Sequence, residues 1–466
     1  MAETAPSYIE AIQKLNLTQT GFKDLRKRRP RSSPYSNSSF LDRMRTWIEC
    51  LDYSISDLDR LNIVHVAGTK GKGTTCAYVN SILQQYRMSY GTPRKVGLFT
   101  SPHLITVRER IRINSELLSE AKFAKYFFEV CNALELTAAA AAATLRGGPG
   151  DTPAKPSYAR FLTLMSFHEV GVGGQWDSTN VLANPAVTGI SFLGIDHVNA
   201  LGNTIDQIAW HKAMDALQDR AIERGTHLNI VEVLAAVHGL DIKPAEHFQR
   251  QNASLAIRLA ETVLTRLGVA AADDCCESDR LPALFGQGLE NLDWKGRCQT
   301  LVTGQQHWYL DGAHTHESLE VACSWFGRVS GTRNLPRVLI FNQQHSSRDP
   351  IALLRTVHRI IYTKLGVVFQ YAVFCANNTY TDQSCNLELI NHNVNPDALQ
   401  GLILQKKLAT VWKELDPDSE VAWLPSIEDA VDYVKEIHNG ASKEPGAEIL
   451  VTGSFHLVGG GGCCHL

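Results

Sequence analysis

Short apolar runs alternate with amphipathic stretches along this chain. The first run, Asn62-Ile63-Val64-His65-Val66-Ala67, predicts a strand, and it ends in a glycine-rich turn, Gly68-Thr69-Lys70-Gly71-Lys72-Gly73-Thr74-Thr75. A helix is predicted over 76–85, with Ala77, Val79, Ile82 and Leu83 as its apolar positions. A second strand, Val96-Gly97-Leu98-Phe99, leads to Ser101-Pro102-His103. Residues 188–195 read as a buried strand with Asp196-His197 at its end, and 251–267 as a helix with apolar Leu255, Ile257, Leu259 and Val263. After Gly296 the pattern restarts. Strands are predicted at 307–310, 337–341, 371–375, 421–424 and 448–452, and helices at 318–326, 350–365, 397–412 and 427–438. This alternation predicts the α/β class, a mostly parallel sheet with helices on both faces, and a domain boundary near 296–300. The alanines at 138–143 and Gly147-Gly148-Pro149-Gly150 read as a low-complexity surface insertion. No repeat of about 20–50 residues is visible.

Length and charge narrow the picture. A chain of 466 residues is long enough for two or three domains, and 44% hydrophobic with 20% charged residues is ordinary for a soluble globular protein. The net charge of −3 offers no global field for nucleic acid or an anionic membrane, so any polyanion site is local. Eleven scattered cysteines, an odd number, are expected to be free thiols in a reducing compartment. No charged region followed by an apolar core marks a secretory signal, and no apolar run reaches the ~18 residues of a membrane span. Arg26-Lys27-Arg28-Arg29-Pro30-Arg31 reads as a solvated loop in preference to a nuclear address or a polyanion contact. Glu3 and Glu10 weigh against a transit peptide, and His465 weighs against a prenylation box at Cys463-Cys464-His465-Leu466.

The candidate chemistry lies in the glycine turn. Strand, glycine turn and helix together form a phosphate loop: glycines let backbone N–H groups approach an anion, and the helix adds its positive end. Lys72 would reach the outer phosphates and Thr74 would offer a hydroxyl to Mg²⁺; Gly73 separates them, which departs from the common G-x-x-x-x-G-K-[ST] spacing.

The run His65 to Thr75 resembles the folylpolyglutamate synthase family of the Mur-ligase superfamily. So do Phe99-Thr100-Ser101-Pro102-His103-Leu104, Arg108-Glu109-Arg110-Ile111-Arg112-Ile113-Asn114 and Glu169-Val170-Gly171-Val172-Gly173-Gly174 with Asp177-Ser178-Thr179-Asn180. Leu193-Gly194-Ile195-Asp196-His197, Ile208-Ala209-Trp210-His211-Lys212-Ala213 and Phe248-Gln249-Arg250-Gln251-Asn252-Ala253 follow in the family's order. Trp294-Lys295-Gly296-Arg297, Leu310-Asp311-Gly312-Ala313-His314, Leu339-Ile340-Phe341-Asn342 and Val451-Thr452-Gly453-Ser454 complete the set, and Thr315 with Phe341-Asn342-Gln343 points to the eukaryotic type.

The resemblance implies an N-terminal P-loop ATPase-type domain with a mostly parallel sheet (61–297, after an extension with leading helices at 1–60). A smaller C-terminal Rossmann-like α/β domain at 298–466 would close over the nucleotide. It implies a ligase that joins L-glutamate to the γ-carboxylate of a folate's glutamate tail, a reaction of one-carbon metabolism, through an acyl phosphate made with ATP. Positioning and neutralisation of crowded negative charge would supply most of the catalysis. Implied cofactors are ATP and Mg²⁺, with a monovalent cation as an additional candidate. The implied partners are small molecules only, with no nucleic acid, in a monomer of the cytosol, the mitochondrial matrix or both. Carried over residue by residue, Gly71, Lys72, Gly73, Thr74, Asn252, Arg297 and Asp311 hold the nucleotide, with Asn252 at adenine, Arg297 at phosphate and Asp311 at the ribose hydroxyls. Ser101, Glu169 and His197 ligate metal, Lys212 is the position that the family carbamylates, and Lys72, Lys212 and His314 are the catalytic set. Taken singly, His197 reads as a core histidine, Ser101 as a turn or cap residue, Glu169 as a surface acid and Lys212 as a helix-surface lysine. Dihydrofolate synthase or another Mur-type ligase, and a nucleotide-binding inactive relative, are the alternatives.

The chain departs from the family pattern in two places. A strand of about a dozen apolar-rich residues is expected between the helix at 161–167 and the Glu-Val-Gly block, yet His168 runs straight into Glu169. After the lysine the family continues with Gly-Ile-Phe-Lys-Pro and a further strand, yet Lys212-Ala213 passes into Met214-Asp215-Ala216-Leu217, which reads as helix. A truncated splice or gene-model form would look like this. The run Gly459 to Gly462 before two cysteines is also unusual.

Overall fold

The computed structural model of the chain describes residues 7–21, 38–144, 155–169, 181–192, 225–269, 280–330, 335–345, 348–382, 386–390, 392, 401–440 and 446–464. The fold has two units: the first ends at Asp293 and the second runs Trp294–Leu466, with the short segment Pro102–Val107 grouped with the second.

The first unit opens with helices α1 (Tyr8–Asn16), α2 (Ser38–Glu49) and α3 (Ile55–Asp59). Strand β1 (Val64–Ala67) follows, then helix α4 (Lys72–Tyr90) and strands β2 (Gly97–Phe99), β3 (Ile111–Ile113) and β4 (Glu116–Leu117). Helices α5 (Glu120–Thr144) and α6 (Tyr158–Glu169), strand β5 (Val187–Ile190), and helices α7 (His247–Arg266) and α8 (Ala283–Glu290) complete it. Helix α4 buries Ala77, Tyr78, Val79, Ile82, Leu83 and Tyr86, because α7 and α8 both pack against it. Its core continues into Ala253, Ile257, Leu264 and Phe285.

The structure bears on two expectations here. The alanine run is the end of α5, since alanine is the strongest helix former; residues 147–150 lie outside the described residues. Among the described residues of the first unit β1 pairs parallel with β5, as expected, with Val64 opposite Val187 and Ala67 opposite Ile190. Strand β2 pairs antiparallel with β3, and β3 with β4, in a separate sheet. The apolar stretch after residue 160 is the helix α6. Phe161, Leu162, Leu164, Met165 and Phe167 are all buried on this helix, which packs against α5. The same side chains cannot also supply a strand beside β1.

The second unit is a six-stranded sheet with helices. Its elements are β6 (Gln299–Thr303), β7 (Gln306–Asp311), α9 (His316–Val329), β8 (Arg337–Phe341), α10 (Pro350–His358), β9 (Tyr371–Cys375), α11 (Ile403–Leu415), β10 (Glu420–Leu424), α12 (Ile427–Gly440), β11 (Ala447–Thr452) and α13 (Phe455–Cys463). The strand order is β10-β9-β8-β11-β7-β6, parallel throughout except for the β6–β7 hairpin. The helix expected at 350–365 is α10 followed by a π-helical turn, Arg359–Lys364. Ala447 to Thr452 are buried without a break, as a central parallel strand requires. Helix α13 forms in spite of four glycines, each a poor helix former. Tertiary packing overrides propensity: Gly459 lies against the backbone of Leu104 and Gly460 against Ile427, leaving no room for a Cβ. No helix among the described residues is long and apolar enough to cross a membrane.

Candidate functional site

The glycine turn follows β1 and opens α4. Gly71 is the N-cap, in the left-handed region at φ +84°, and no side chain caps the helix. The first turn of a helix carries N–H groups without intrahelical acceptors, so this end attracts an anion. The loop is braced from β5 and beyond: the Thr69 and Lys70 N–H groups donate to the Phe192 carbonyl at 2.8 and 3.2 Å. Ser191 Oγ donates to the carbonyls of Ala67 and Lys70, at 3.1 and 2.7 Å. A Cβ on Gly71 would stand 2.3 Å from Asn252 Oδ1. Asn252 is buried, and its Nδ2 donates to Gln249 Oε1 at 3.1 Å. Thus the loop and Asn252, far apart in sequence, meet as the phosphate-loop reading expects of a shared pocket. Lys72 is exposed, and its Nζ folds back onto the carbonyls of Gly68 (2.7 Å) and Thr69 (3.2 Å).

Electrostatics around the loop favour neutral groups below it. Burial pushes the Cys76 thiol up to about 12, against the opposing pull of Lys72, so Cys76 is no thiolate nucleophile. Burial holds His65 down at about 4. Thr74 and Thr75 are buried, and Thr75 Oγ1 has no hydrogen-bond partner. Hydroxyls at this position, with phosphate oxygens and water, make the oxygen donor set that a hard divalent cation takes.

In the second unit the candidate residues gather at the carboxyl ends of the parallel strands, where open α/β sheets place their sites. The β6–β7 hairpin brings Arg297, ahead of β6, to the end of β7, where Asp311 stands. Asp311 ties this corner together: Oδ2 accepts from the Cys298 N–H at 2.7 Å and from its thiol at 3.3 Å, and Oδ1 accepts from the Ala313 N–H at 2.8 Å. Burial pushes its carboxyl up, opposed first by the Arg297 charge. Both carboxylate oxygens are therefore engaged by the protein before any ribose is considered. His314 Nδ1 lies 2.7 Å from the Gly312 carbonyl, which can only accept, so Nδ1 carries a proton and donates to it. Thr315 then caps α9 through a reciprocal box with Ser318.

Arg297 is half-buried, and burial lowers its affinity for its proton while Asp311 acts in the opposite direction. Its guanidinium carbon lies 4.3 Å from the centre of the Phe455 ring. Among the described residues no hydrogen bond or ion pair holds it.

The remaining candidates are not brought together. Ser101 is exposed at the end of the β2 segment. Glu169 is the last residue of α6, a helix end where a strand end was expected, and its side chain is outside the described set. His197 and Lys212 lie outside the described residues, as does the run 26–31. No group of three His, Cys, Asp or Glu side chains among the described residues could hold a metal. Sequence reasoning missed Phe455, Ser191 and Cys298. The nearest signal was Val451-Thr452-Gly453-Ser454, whose very next residue is Phe455.

No protein-family model matches the chain. The chain is 42% identical to the folylpolyglutamate synthase of Neurospora crassa, over 99% of this chain and 92% of that protein. It is 38% identical to the folylpolyglutamate synthase of Saccharomyces cerevisiae, over 97% of this chain and 86% of the relative. The chain belongs to the folylpolyglutamate synthase family. Solved structures of the family share its fold. A Mycobacterium tuberculosis folylpolyglutamate synthase complexed with ADP has a TM-score of 0.66 at 19% identity, covering 98% of each chain. The Thermotoga maritima enzyme has a TM-score of 0.62 at 20% identity, covering 97% of this chain and 95% of that one. A two-unit α/β architecture of the Mur-ligase kind is thereby the fold. The alignment with the N. crassa protein is 494 positions long against 466 residues here, so that relative carries stretches that this chain lacks.

Proposed function

We propose that this chain adds L-glutamate to the γ-carboxylate of a folate's glutamate tail, with ATP as the energy source. The observation that carries the reading is the glycine loop on an uncapped α4 N-terminus with Asn252 at its back, in a chain of the folylpolyglutamate synthase family.

The chemistry follows from what a carboxylate lacks. It is a poor electrophile, so an oxygen must become a leaving group. The tail carboxylate attacks the γ-phosphorus of ATP; the bond to the β–γ bridging oxygen breaks, and acyl phosphate and ADP form. The deprotonated glutamate amine then attacks the acyl carbon, the tetrahedral intermediate expels phosphate, and an amide remains. Lys72 leaves its carbonyl partners to meet the outer phosphates. The α4 N-terminus receives a phosphate, and Asn252 offers an amide to the base. Arg297 brings five N–H donors to phosphate charge. Asp311 shapes the corner that holds Arg297, and His314 stands at the same turn, its Nδ1 donating to the Gly312 carbonyl. A divalent cation, when bound, supplies further charge neutralisation; Thr74 and Ser101 are the described residues that would hold it.

Purified protein incubated with ATP, Mg²⁺, a tetrahydrofolate and labelled glutamate tests this. Chain extension is the expected result. Nucleotide binding without product would identify an inactive relative, and product only from dihydropteroate would identify a dihydrofolate synthase.

A further inference from the structure

Arg297 is held in an unusual way for a half-buried cation. A buried guanidinium normally spends its fork of donors on a carboxylate. Here the nearby carboxylate, Asp311, is taken up by the Cys298 and Ala313 N–H groups and acts on Arg297 only through space. What lies against the guanidinium is the Phe455 ring.

We infer that Phe455 is a positioning residue: its ring is a platform that orients Arg297 while leaving the guanidinium donors for phosphate. A π face attracts a cation without accepting its N–H bonds in the plane of the fork. A carboxylate in the same place would orient the arginine and consume the donors.

The ring itself is fixed from three sides. It is the first residue of α13, whose N-cap Ser454 accepts from the Leu457 N–H at 3.0 Å. Gly312 leaves it space: a Cβ there would stand 2.7 Å from the ring. His314 meets it edge-on, with ring centres 5.8 Å apart. Upstream of the cap, Gln343 Nε2 donates to the Gly453 carbonyl at 2.7 Å, which ties the end of β11 to the end of β8. One aromatic side chain thus joins three motifs of the sequence: Arg297, the Asp311-to-His314 turn, and the Gly453-Ser454 turn.

This inference rests on the reading that Arg297 binds ATP phosphate, and a double-mutant cycle separates the two. Phe455→Leu keeps an apolar side chain against Gly312 and removes the π face. It is expected to raise the KM for ATP, and the Kd for ADP by calorimetry, about tenfold. The KM values for folate and glutamate and the melting temperature should stay at the wild-type values, and Phe455→Tyr should restore ATP affinity. In an Arg297→Gln background, Phe455→Leu should add nothing. If Arg297→Gln weakens nucleotide binding while Phe455→Leu does not, or if the two losses add in full, the platform is overturned and the phosphate role of Arg297 stands. If Arg297→Gln leaves nucleotide binding unchanged, both fall. A chain without turnover is tested by the same cycle through ADP binding alone.

Discussion

Replacing Gly71 by alanine probes the loop most directly. Two costs follow from the geometry. Gly71 sits at φ +84°, where an L side chain pays about 1 kcal/mol. The new Cβ would lie 2.3 Å from Asn252 Oδ1, so the amide must rotate or the loop must move. Asn252 is only 6% exposed, and rotation breaks its bond to Gln249, a further loss of about 1 kcal/mol. The expected destabilisation is therefore about 2 kcal/mol. Gly91 supplies the control. It has φ +69° with nothing within 4 Å of a Cβ, so Gly91→Ala should cost the backbone term alone, about 1 kcal/mol. Urea unfolding of both variants gives the difference, and ADP calorimetry gives the functional part. Because the Gly71 amide opens the helix end that meets phosphate, Gly71→Ala should also weaken ADP at least about tenfold, while Gly91→Ala leaves it unchanged. Equal destabilisation by the two substitutions, together with wild-type ADP affinity for Gly71→Ala, would refute the close-approach argument.

Lys72→Met should abolish most turnover and leave the unfolding midpoint near wild type, since an exposed ammonium on two carbonyls contributes little to stability; a large loss of stability in urea would contradict this. His65 is neutral in the fold, with its pKa at about 4 against an ordinary 6.5. The unfolded chain therefore binds the extra proton between those values, and stability present above pH 6.5 should fall by up to about 1.4 kcal/mol per pH unit as pH drops towards 4. His65→Gln should flatten that slope, as read from unfolding at stepped pH. Glu448 is fully buried, with Arg337 Nε 3.2 Å from its carboxylate. Arg337→Ala should cost about 3–5 kcal/mol by taking the cation from a buried carboxylate that the Tyr309 hydroxyl also meets, at 3.5 Å, whereas replacing both Arg337 and Glu448 by Met should cost far less; thermal unfolding of the two variants decides.

Local pattern made much of this protein legible before any coordinates. β8 and β9 were predicted at their observed limits, and β1, β7, β10 and β11 within a residue or two at their ends, because a buried parallel strand is a dense apolar run and its helices carry a clear period. The glycine loop was legible for the same reason: strand, turn and helix are contiguous, so their chemistry is written in one stretch of chain. Elements that depend on distant neighbours were not. The stretch 161–167 reads as helix in the sequence, but that it lies against α5 with Phe161, Leu162, Leu164, Met165 and Phe167 all buried is a matter of tertiary packing. Helix α13 has a sequence that opposes helicity, and only the close approach of Leu104 and Ile427 explains its glycines.

What the amino-acid order determined by itself is the class, the element order and the phosphate loop, all consequences of short-range periodicity and backbone freedom. Folding decided which side chains meet: Asn252 behind Gly71, the two Asp311 oxygens spent on Cys298 and Ala313, and Phe455 under Arg297. Those contacts join residues far apart along the chain, and no local preference encodes a distance between them.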